Sequence, residues 1–226
     1  NNVAVGNNTL AANTTGAQNV AIGRDALLSN TTAAYNIAIG HLALEDNVTG
    51  GNNVAVGSFA LEGNLASYNT AVGDVALRAN TTGAYNTAVG KGSLGANTTG
   101  TENTAVGSET LEANTTGQRN TAIGHKALED NTGDMNTAVG AYALPENSTG
   151  DNNTAVGRNA LRFNTTASNN TAIGHQALDQ NTDGHSNTAV GSGALDANTT
   201  ADENVAVGRN ALGAVTTGSY NTALGF

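Results

Sequence analysis

The chain has 226 residues, a formal net charge of −10, one Pro and no Cys. Leu, Val, Ile and Phe together make up about 18% of it, below the roughly 20% under which a charged chain is expected to lack an ordinary globular core. The absence of Cys excludes disulfides and thiolate metal sites. The acidic balance argues against nucleic acid as a partner, and no apolar run is long enough to span a membrane.

One short unit, Asn-x-Ala-(Val/Ile/Leu)-Gly, recurs along the whole chain. It occurs fourteen times between Asn2 and Asn221, and successive copies are 17 or, twice, 16 residues apart. We number the positions of each repeat from 1, the Asn, to 17. Position 3 is Ala and position 5 is Gly in every copy, and position 9 is always Leu. A period in this range is typical of a solenoid, in which each repeat packs only against its neighbours.

Within one repeat, three elements follow in chain order. Thr-Ala-Val at positions 2–4 predicts a short strand, Ala-Leu at positions 8–9 predicts the start of a second, and Asn-Thr-Thr-Gly at positions 12–15 predicts a turn in which Asn and Gly take positive φ. The recurrent Gly and the β-branched residues make a helix unfavourable. The two shortened repeats lose a residue within this turn, at 64–69 and 131–136, so we expect the strands to keep their register.

These elements predict an all-β protein, a parallel β-solenoid of about fourteen coils of 16–17 residues. Residues 1–226 form a single repeat array, which we interpret as a fragment of a longer fibrous protein. The charged residues fall at positions 6, 7, 10, 11, 16 and 17, apart from Asp183, which predicts solvated corners there. The structural columns are illustrated by two successive repeats: Ala88, Val89, Gly90, Leu94 and Asn97, then Ala105, Val106, Gly107, Leu111 and Asn114.

Strand alternation places positions 2 and 4 on one face and positions 1, 3 and 5 on the other. Burial of one Val and one Leu per coil returns less free energy than ordering the coil's backbone costs, so we expect both faces to be covered. In one arrangement Ala, Gly and Leu fill a narrow interior and the Val/Thr face meets partner chains. In the other, these roles are reversed. We favour the first, since an exposed column of Val marks an interface.

The unit N-(T/V)-A-(V/I)-G-x-x-A, as at 19–26 and 120–127, resembles the head repeat of the trimeric autotransporter adhesins of the YadA type. Similar arrays occur in bacteriophage tail fibres. The resemblance implies a left-handed parallel β-roll, three copies of which pack around an axis as the adhesive head of a surface fibre. The repeat here is longer than the family's common period, and the stalk and membrane anchor of the family are not among these residues.

The side chains with chemical potential do not form a catalytic or metal-binding pattern, and we predict a protein that is not an enzyme and has no cofactor or metal. Three His share position 6 but lie several repeats apart, and a fourth stands at position 16, which favours solvated side chains over ligands. Paired acids such as Glu45 and Asp46 have no nearby base. The four His are His41, His125, His175 and His185.

Two features could contact a ligand. Tyr recurs at position 17, which is explained either by corner packing or by ligand contact. The other feature is a column of Thr at position 2 in eight consecutive repeats, either half-buried at an interface or, as in several ice-binding β-solenoids, an array that orders water. The column contains Thr70, Thr87, Thr104, Thr121, Thr137, Thr154, Thr171 and Thr188.

The sequence therefore predicts a non-enzymatic, extracellular fibre segment on a bacterial cell surface or a virion. It would mediate adhesion or serve as a rigid shaft or head, and its partners would be copies of itself, as a homotrimer or end to end, and a host-surface protein or glycan. The alternatives are a self-assembling structural filament and an ice-binding solenoid that uses the Thr column.

Overall fold

The computed structural model describes residues 1–226 and consists of strands joined by turns, without a helix. Each repeat contributes one three-residue strand at positions 2–4, as the sequence predicts. The chain divides into two compact units, Asn1–Thr116 and Gly117–Phe226. The first unit contains β1 (Val3–Val5), β2 (Val20–Ile22), β3 (Ile37–Ile39), β4 (Val54–Val56), β5 (Thr70–Val72), β6 (Thr87–Val89) and β7 (Thr104–Val106).

The second unit has the same organisation. Within each unit, consecutive strands pair in parallel and in register, so that each Ala of position 3 faces the Ala of the next coil. The fold is therefore a parallel β-solenoid, and the predicted fold class is confirmed. The strands of the second unit are β8 (Thr121–Ile123), β9 (Thr137–Val139), β10 (Thr154–Val156), β11 (Thr171–Ile173), β12 (Thr188–Val190), β13 (Val205–Val207) and β14 (Thr222–Leu224).

The two shortened repeats leave the strand register unchanged. Val54 pairs with Thr70 across one 16-residue repeat, and Thr121 pairs with Thr137 across the other. The missing residue is absorbed in the turn, where the amide of Asn64 donates to the carbonyl of Ala66, two residues on. The prediction that the turn tolerates this loss is confirmed.

The interior of each coil is narrow and filled by small side chains and one Leu. Ala88 and Leu94 are fully buried, as are their counterparts in nearly every coil, and most residues at position 8 are buried Ala. Val89, on the opposite face of the same strand, is 36% exposed. The interior that we favoured from the sequence is therefore confirmed, since the side chains of positions 2 and 4 point outward.

Two ladders of buried Asn complete the interior. At position 1, the side-chain oxygen of Asn19 accepts from the backbone N–H of Asn36 in the next coil at 3.0 Å, and its amide donates across its own coil to the carbonyl of Ala33. At position 12, the amide of Asn97 donates both to Asn80 of the preceding coil and to the carbonyl of Gly100. Most of these polar groups are buried at low cost because they have partners; the side-chain oxygens of Asn47 and Asn198 are exceptions.

The predicted second strand at Ala-Leu is wrong. Leu94 has φ of 51° and all thirteen Leu of position 9 share this left-handed conformation, so the chain turns sharply there instead of extending. Positions 7 and 17 are also left-handed, whereas Asn97 and the other Asn of position 12 are not. The prediction of positive φ at that Asn and at the Gly of position 15 is therefore also wrong. Most of these left-handed Leu are held by their N–H bonding to the next coil, as from Leu94 to Thr110 at 3.0 Å.

Val75 is the only β-branched residue at the left-handed positions 7, 9 and 17. Its φ is 53°, a conformation that is strained for a β-branched side chain but accessible to Asn. The same position is Asn in other coils, for example at Asn159 with φ of 59°. We expect Val75→Asn to stabilise the fold by about 1 kcal/mol, measured as an increase in the urea midpoint of unfolding. Asn159→Val, the reverse change, should lower it, and equal midpoints for all three proteins would contradict the strain argument.

Candidate functional site

The outward face of the strands is an uncharged surface that recurs in every repeat. It consists of two files, position 2 and position 4, which in the first unit run from Val3 and Val5 to Thr104 and Val106. Position 4 is always Val, Ile or Leu, and Ile22, Ile39 and the other Ile of this file are more than a third exposed. Neither file contains a charged residue. A continuous strip of this kind in every coil is unusual for the surface of a soluble monomer. We call these two files the Thr/Val face.

Thr hydroxyls of the Thr/Val face have no hydrogen-bond partner within the protein. This distinguishes them from the Thr of position 13, where for instance the hydroxyl of Thr81 donates to the carbonyl of Thr98 at 2.9 Å. The strand Thr are half-buried with their hydroxyls available, so the face offers both methyl groups and hydrogen-bonding capacity. The structure places all eight sequence-predicted Thr in this file: Thr70, Thr87 and Thr104 in the first unit, and Thr121, Thr137, Thr154, Thr171 and Thr188 in the second.

The structural columns lie where they support this face without forming it. In the coils that begin at Asn86 and Asn103, the position 3 Ala and position 9 Leu are buried inside, the position 4 Val points out, and the position 12 Asn belongs to the interior ladder. The Gly of position 5 allows the backbones of neighbouring coils to approach. These residues are Ala88, Val89, Gly90, Leu94, Asn97, Ala105, Val106, Gly107, Leu111 and Asn114.

Charged side chains are exposed or half-buried, in agreement with the predicted solvated corners, with one exception. Asp179 is 4% exposed. It forms an ion pair with Arg162 of the preceding coil, with 3.3 Å between the guanidinium nitrogen and a carboxylate oxygen, and accepts from Gln180 at 2.6 Å. Arg162 also lies over the ring of Phe163. These contacts compensate the burial of the carboxylate only in part, because Oδ1 of Asp179 and Nε of Arg162 are buried without a hydrogen bond.

Several carboxylates gather at one corner of the first unit. Burial raises the pKa of Glu45 above its ordinary value, and the negative charges of Asp46, Glu62 and Asp25 raise it further, while His41 opposes them. A raised carboxyl pKa means that the folded protein holds this proton more tightly than the unfolded chain does. Ionisation of Glu45 therefore costs stability, and the cost is fully present above the raised pKa.

We expect Glu45→Gln to stabilise the protein at pH 7 by at most a few tenths of a kcal/mol, because the group is largely solvated. The gain should vanish as the pH falls below the ordinary pKa of a Glu, where both proteins are neutral at this position. Thermal melting between pH 3 and 8 measures the difference, with Glu203→Gln at another exposed corner as the control. A gain that grew toward acid pH would have the wrong sign.

The four His lie in separate coils and contact different neighbours. His41 contacts Arg24 and meets the edge of the Phe59 ring, and His125 packs edge-on against Tyr142 with ring centroids 5.4 Å apart. His185 accepts from the backbone N–H of Ser168 through Nδ1 at 3.0 Å. His175, at position 6, is exposed. Within one chain the structure does not bring the four imidazoles together, so they offer no shared metal site.

The Tyr residues of position 17 form an exposed column beside the Thr/Val face. Tyr68 and Tyr85, in adjacent coils, stack with ring centroids 5.1 Å apart and planes inclined by 2°. Tyr35, two coils before Tyr68, is 56% exposed, and the position between them is occupied by Asn52. The three Tyr and Asn52 all have φ between 59° and 64°. The sequence left packing and ligand contact open for this column; the structure shows packing for the Tyr68–Tyr85 pair and no ring partner for Tyr35.

The chain was compared with protein-family models, curated proteins and solved structures, and none of them matches it. The structure contains no helix of the length and apolar character needed to cross a membrane. Sequence reasoning missed the interior role of the position 1 Asn, although its occurrence in all fourteen repeats was a signal, because Asn was interpreted mainly as a turn residue.

Proposed function

We propose that this protein is a non-enzymatic segment of an extracellular fibre in which copies of the chain associate through the Thr/Val face. The observation that carries the proposal is that this face is uncharged, rich in Val and Ile, and repeated in every coil, while the interior is already filled by Ala, Leu and Asn. Burial against a second copy would remove the exposed aliphatic side chains from water. It would also supply the stabilisation that the narrow interior lacks.

Two further considerations support an adhesin or a phage tail fibre as the parent protein. The repeat resembles that of the YadA-type adhesin heads, and the confirmed β-solenoid fold agrees with the β-roll that this resemblance implies. Repeated coils present corner side chains at regular intervals, so weak contacts to a host protein or glycan would add up to avidity. We propose a homotrimer on the bacterial surface or the virion.

Light scattering on the purified chain tests the association. We expect a discrete mass three times that of the chain at micromolar concentration. Ile173→Lys, which places a charge on the middle strand of the second unit, should shift the mass toward the monomer, whereas Asp196→Lys, at a charged corner, should not. A folded, β-rich monomer of the unsubstituted chain would contradict the proposal, and a mass that grows with concentration would favour an end-to-end filament.

A second candidate is ice binding, which is favoured by the unpartnered hydroxyls of the Thr file. Parallel strands repeat about every 4.8 Å, so in the second unit five successive Thr, from Thr121 to Thr188, form a regular file beside the Val and Ile of position 4. We expect such a face to give thermal hysteresis that is reduced by Thr154→Lys. Absence of hysteresis at millimolar protein concentration would end this candidate.

A further inference from the structure

We propose that the corner of the first unit between Tyr35 and Tyr68 is a binding slot for one ring of a neutral sugar, with Asn52 at its floor. Three consecutive coils build the slot, each contributing its position 17 residue. The same backbone hydrogen bond fixes the register of all three residues. In each case the N–H donates to the position 16 carbonyl of the preceding coil, at 3.1–3.2 Å, from Tyr35, Asn52 and Tyr68. The three side chains therefore leave the backbone in the same direction, one coil apart.

The neighbouring Tyr pair shows how much room one coil provides. Tyr68 and Tyr85 are one coil apart and their rings stack in parallel at 5.1 Å, so the advance of one coil corresponds to one stacked ring. Tyr35 and Tyr68 are two coils apart, about 9.6 Å at the usual strand spacing, and the short Asn52 stands between them. The gap left above Asn52 therefore has the thickness of one additional ring.

The corner also has a conformational cost, which position 17 bears in every coil. Tyr35 and Tyr68 are more than half exposed and have φ of 63° and 64°, a conformation that suits Asn or Gly better than an aromatic residue. The stack with Tyr85 compensates this cost at Tyr68, but Tyr35 has no ring partner. Exposed, strained aromatic side chains that packing does not explain are candidates for ligand contact.

The polar groups and the charges at this corner indicate the ligand class. The side-chain amide of Asn52 makes no hydrogen bond within the protein, and the hydroxyl of Ser67, which accepts from the N–H of Gly51 at 3.0 Å, retains its own proton to donate. Positions 16 and 17 carry no charge from Ala17 to Tyr85, whereas in the second unit the same positions include Asp, Glu, Arg and His. A pyranose fits this combination, since its C–H faces contact the two Tyr rings and its hydroxyls bond to the amide. A flat aromatic ligand would leave that amide unpaired, and an ionic one would find no countercharge.

The inference deepens the proposed adhesive function by naming a ligand class, but it does not depend on self-association. Saturation-transfer NMR on the whole chain tests it, with a panel of neutral disaccharides of glucose, galactose, mannose and N-acetylglucosamine. We expect transfer to the ring C–H protons of at least one sugar. Asn52→Tyr fills the slot with the protein's own ring and should abolish the signal, and Tyr35→Asn, which removes one wall, should reduce it at least fivefold.

Two matched controls occupy position 17 elsewhere. Asn152→Tyr places a Tyr at an exposed left-handed site of the second unit, and Tyr220→Asn removes a Tyr of that unit; both should retain the full signal. Transfer to none of the sugars, or equal transfer in Asn52→Tyr and the unsubstituted chain, would overturn the inference. So would binding only of aromatic compounds or peptides. Light scattering on the same samples separates this outcome from failure of the proposed association. A monomer that binds sugar through the slot would support the sugar-binding inference and contradict the proposed self-association.

Discussion

Gly90→Ala should destabilise the first unit by about 4 kcal/mol or more, an effect at the upper end for a single substitution. Gly90 has φ of +133°, and a Cβ at this residue would lie 2.2 Å from the carbonyl oxygen of Gly107 in the next coil. The added methyl group can be accommodated only if the two coils separate, because the obstacle is backbone. Separation would break the parallel pairing of Val89 with Val106 beside it.

Urea unfolding followed by circular dichroism measures this loss, and hydrogen exchange locates it, since a solenoid opens coil by coil. The matched control is Gly63→Ala, where a Cβ would meet nothing closer than 3.6 Å; we expect it to be neutral or to stabilise by up to about 1 kcal/mol. If the two variants were equally stable, close approach of the coils at position 5 would not be the reason for Gly there.

Asn80→Asp should have a comparable effect at neutral pH, although it changes the shape of the side chain very little. The amide of Asn80 is fully buried and donates to Asn64 of the preceding coil at 2.7 Å and to the carbonyl of Gly83 at 2.8 Å. Its oxygen accepts from Asn97 at 2.8 Å. A carboxylate has no proton to donate, so a buried charge would face two acceptor oxygens, which we expect to cost about 3–5 kcal/mol.

The pH dependence separates this cause from a packing defect. Burial raises the pKa of the introduced carboxyl in the folded state, so folding takes up a proton and the loss of stability grows as the pH rises. The variant should therefore approach the stability of the unsubstituted chain near pH 4, where the neutral acid can donate one hydrogen bond. Asn152→Asp, at an exposed position, serves as the control and should show only a small change. A loss that is independent of pH would contradict the electrostatic explanation.

Much of the fold could be predicted because the repeat itself carries the information. Residues that recur at one position stack on each other in a solenoid, so the strand at Thr87–Val89 and its register followed from the period and the alternation alone. The same argument explains why the 16-residue repeats kept their register. The left-handed Leu could not be predicted in this way, because Leu94 adopts that conformation only where burial and a hydrogen bond to Thr110 of the next coil compensate the strain.

The candidate surfaces could likewise be predicted only in part. The Thr file and the Tyr column were visible in the sequence as columns, but their direction was not, since alternation defines two faces without saying which one is inside. The narrow interior decides it: one Leu per coil, such as Leu94, leaves room on the strand only for the small Ala88, and Val89 is directed outward. The slot at Asn52 depended on knowing that position 17 projects from an exposed corner and that one coil advances by one stacked ring.

The low content of large apolar residues has one consequence that the sequence determines and another that only the structure shows. The sequence by itself determined that the chain is a repeat array, where its strands lie and that an ordinary globular core is absent, because these properties depend on composition and period. Only the tertiary structure decided what replaces that core. Two ladders of buried Asn occupy the interior with Ala and Leu, since a coil this narrow can satisfy amide groups from its own backbone and from the adjacent coils, while most of the Val and Ile remain on the outside.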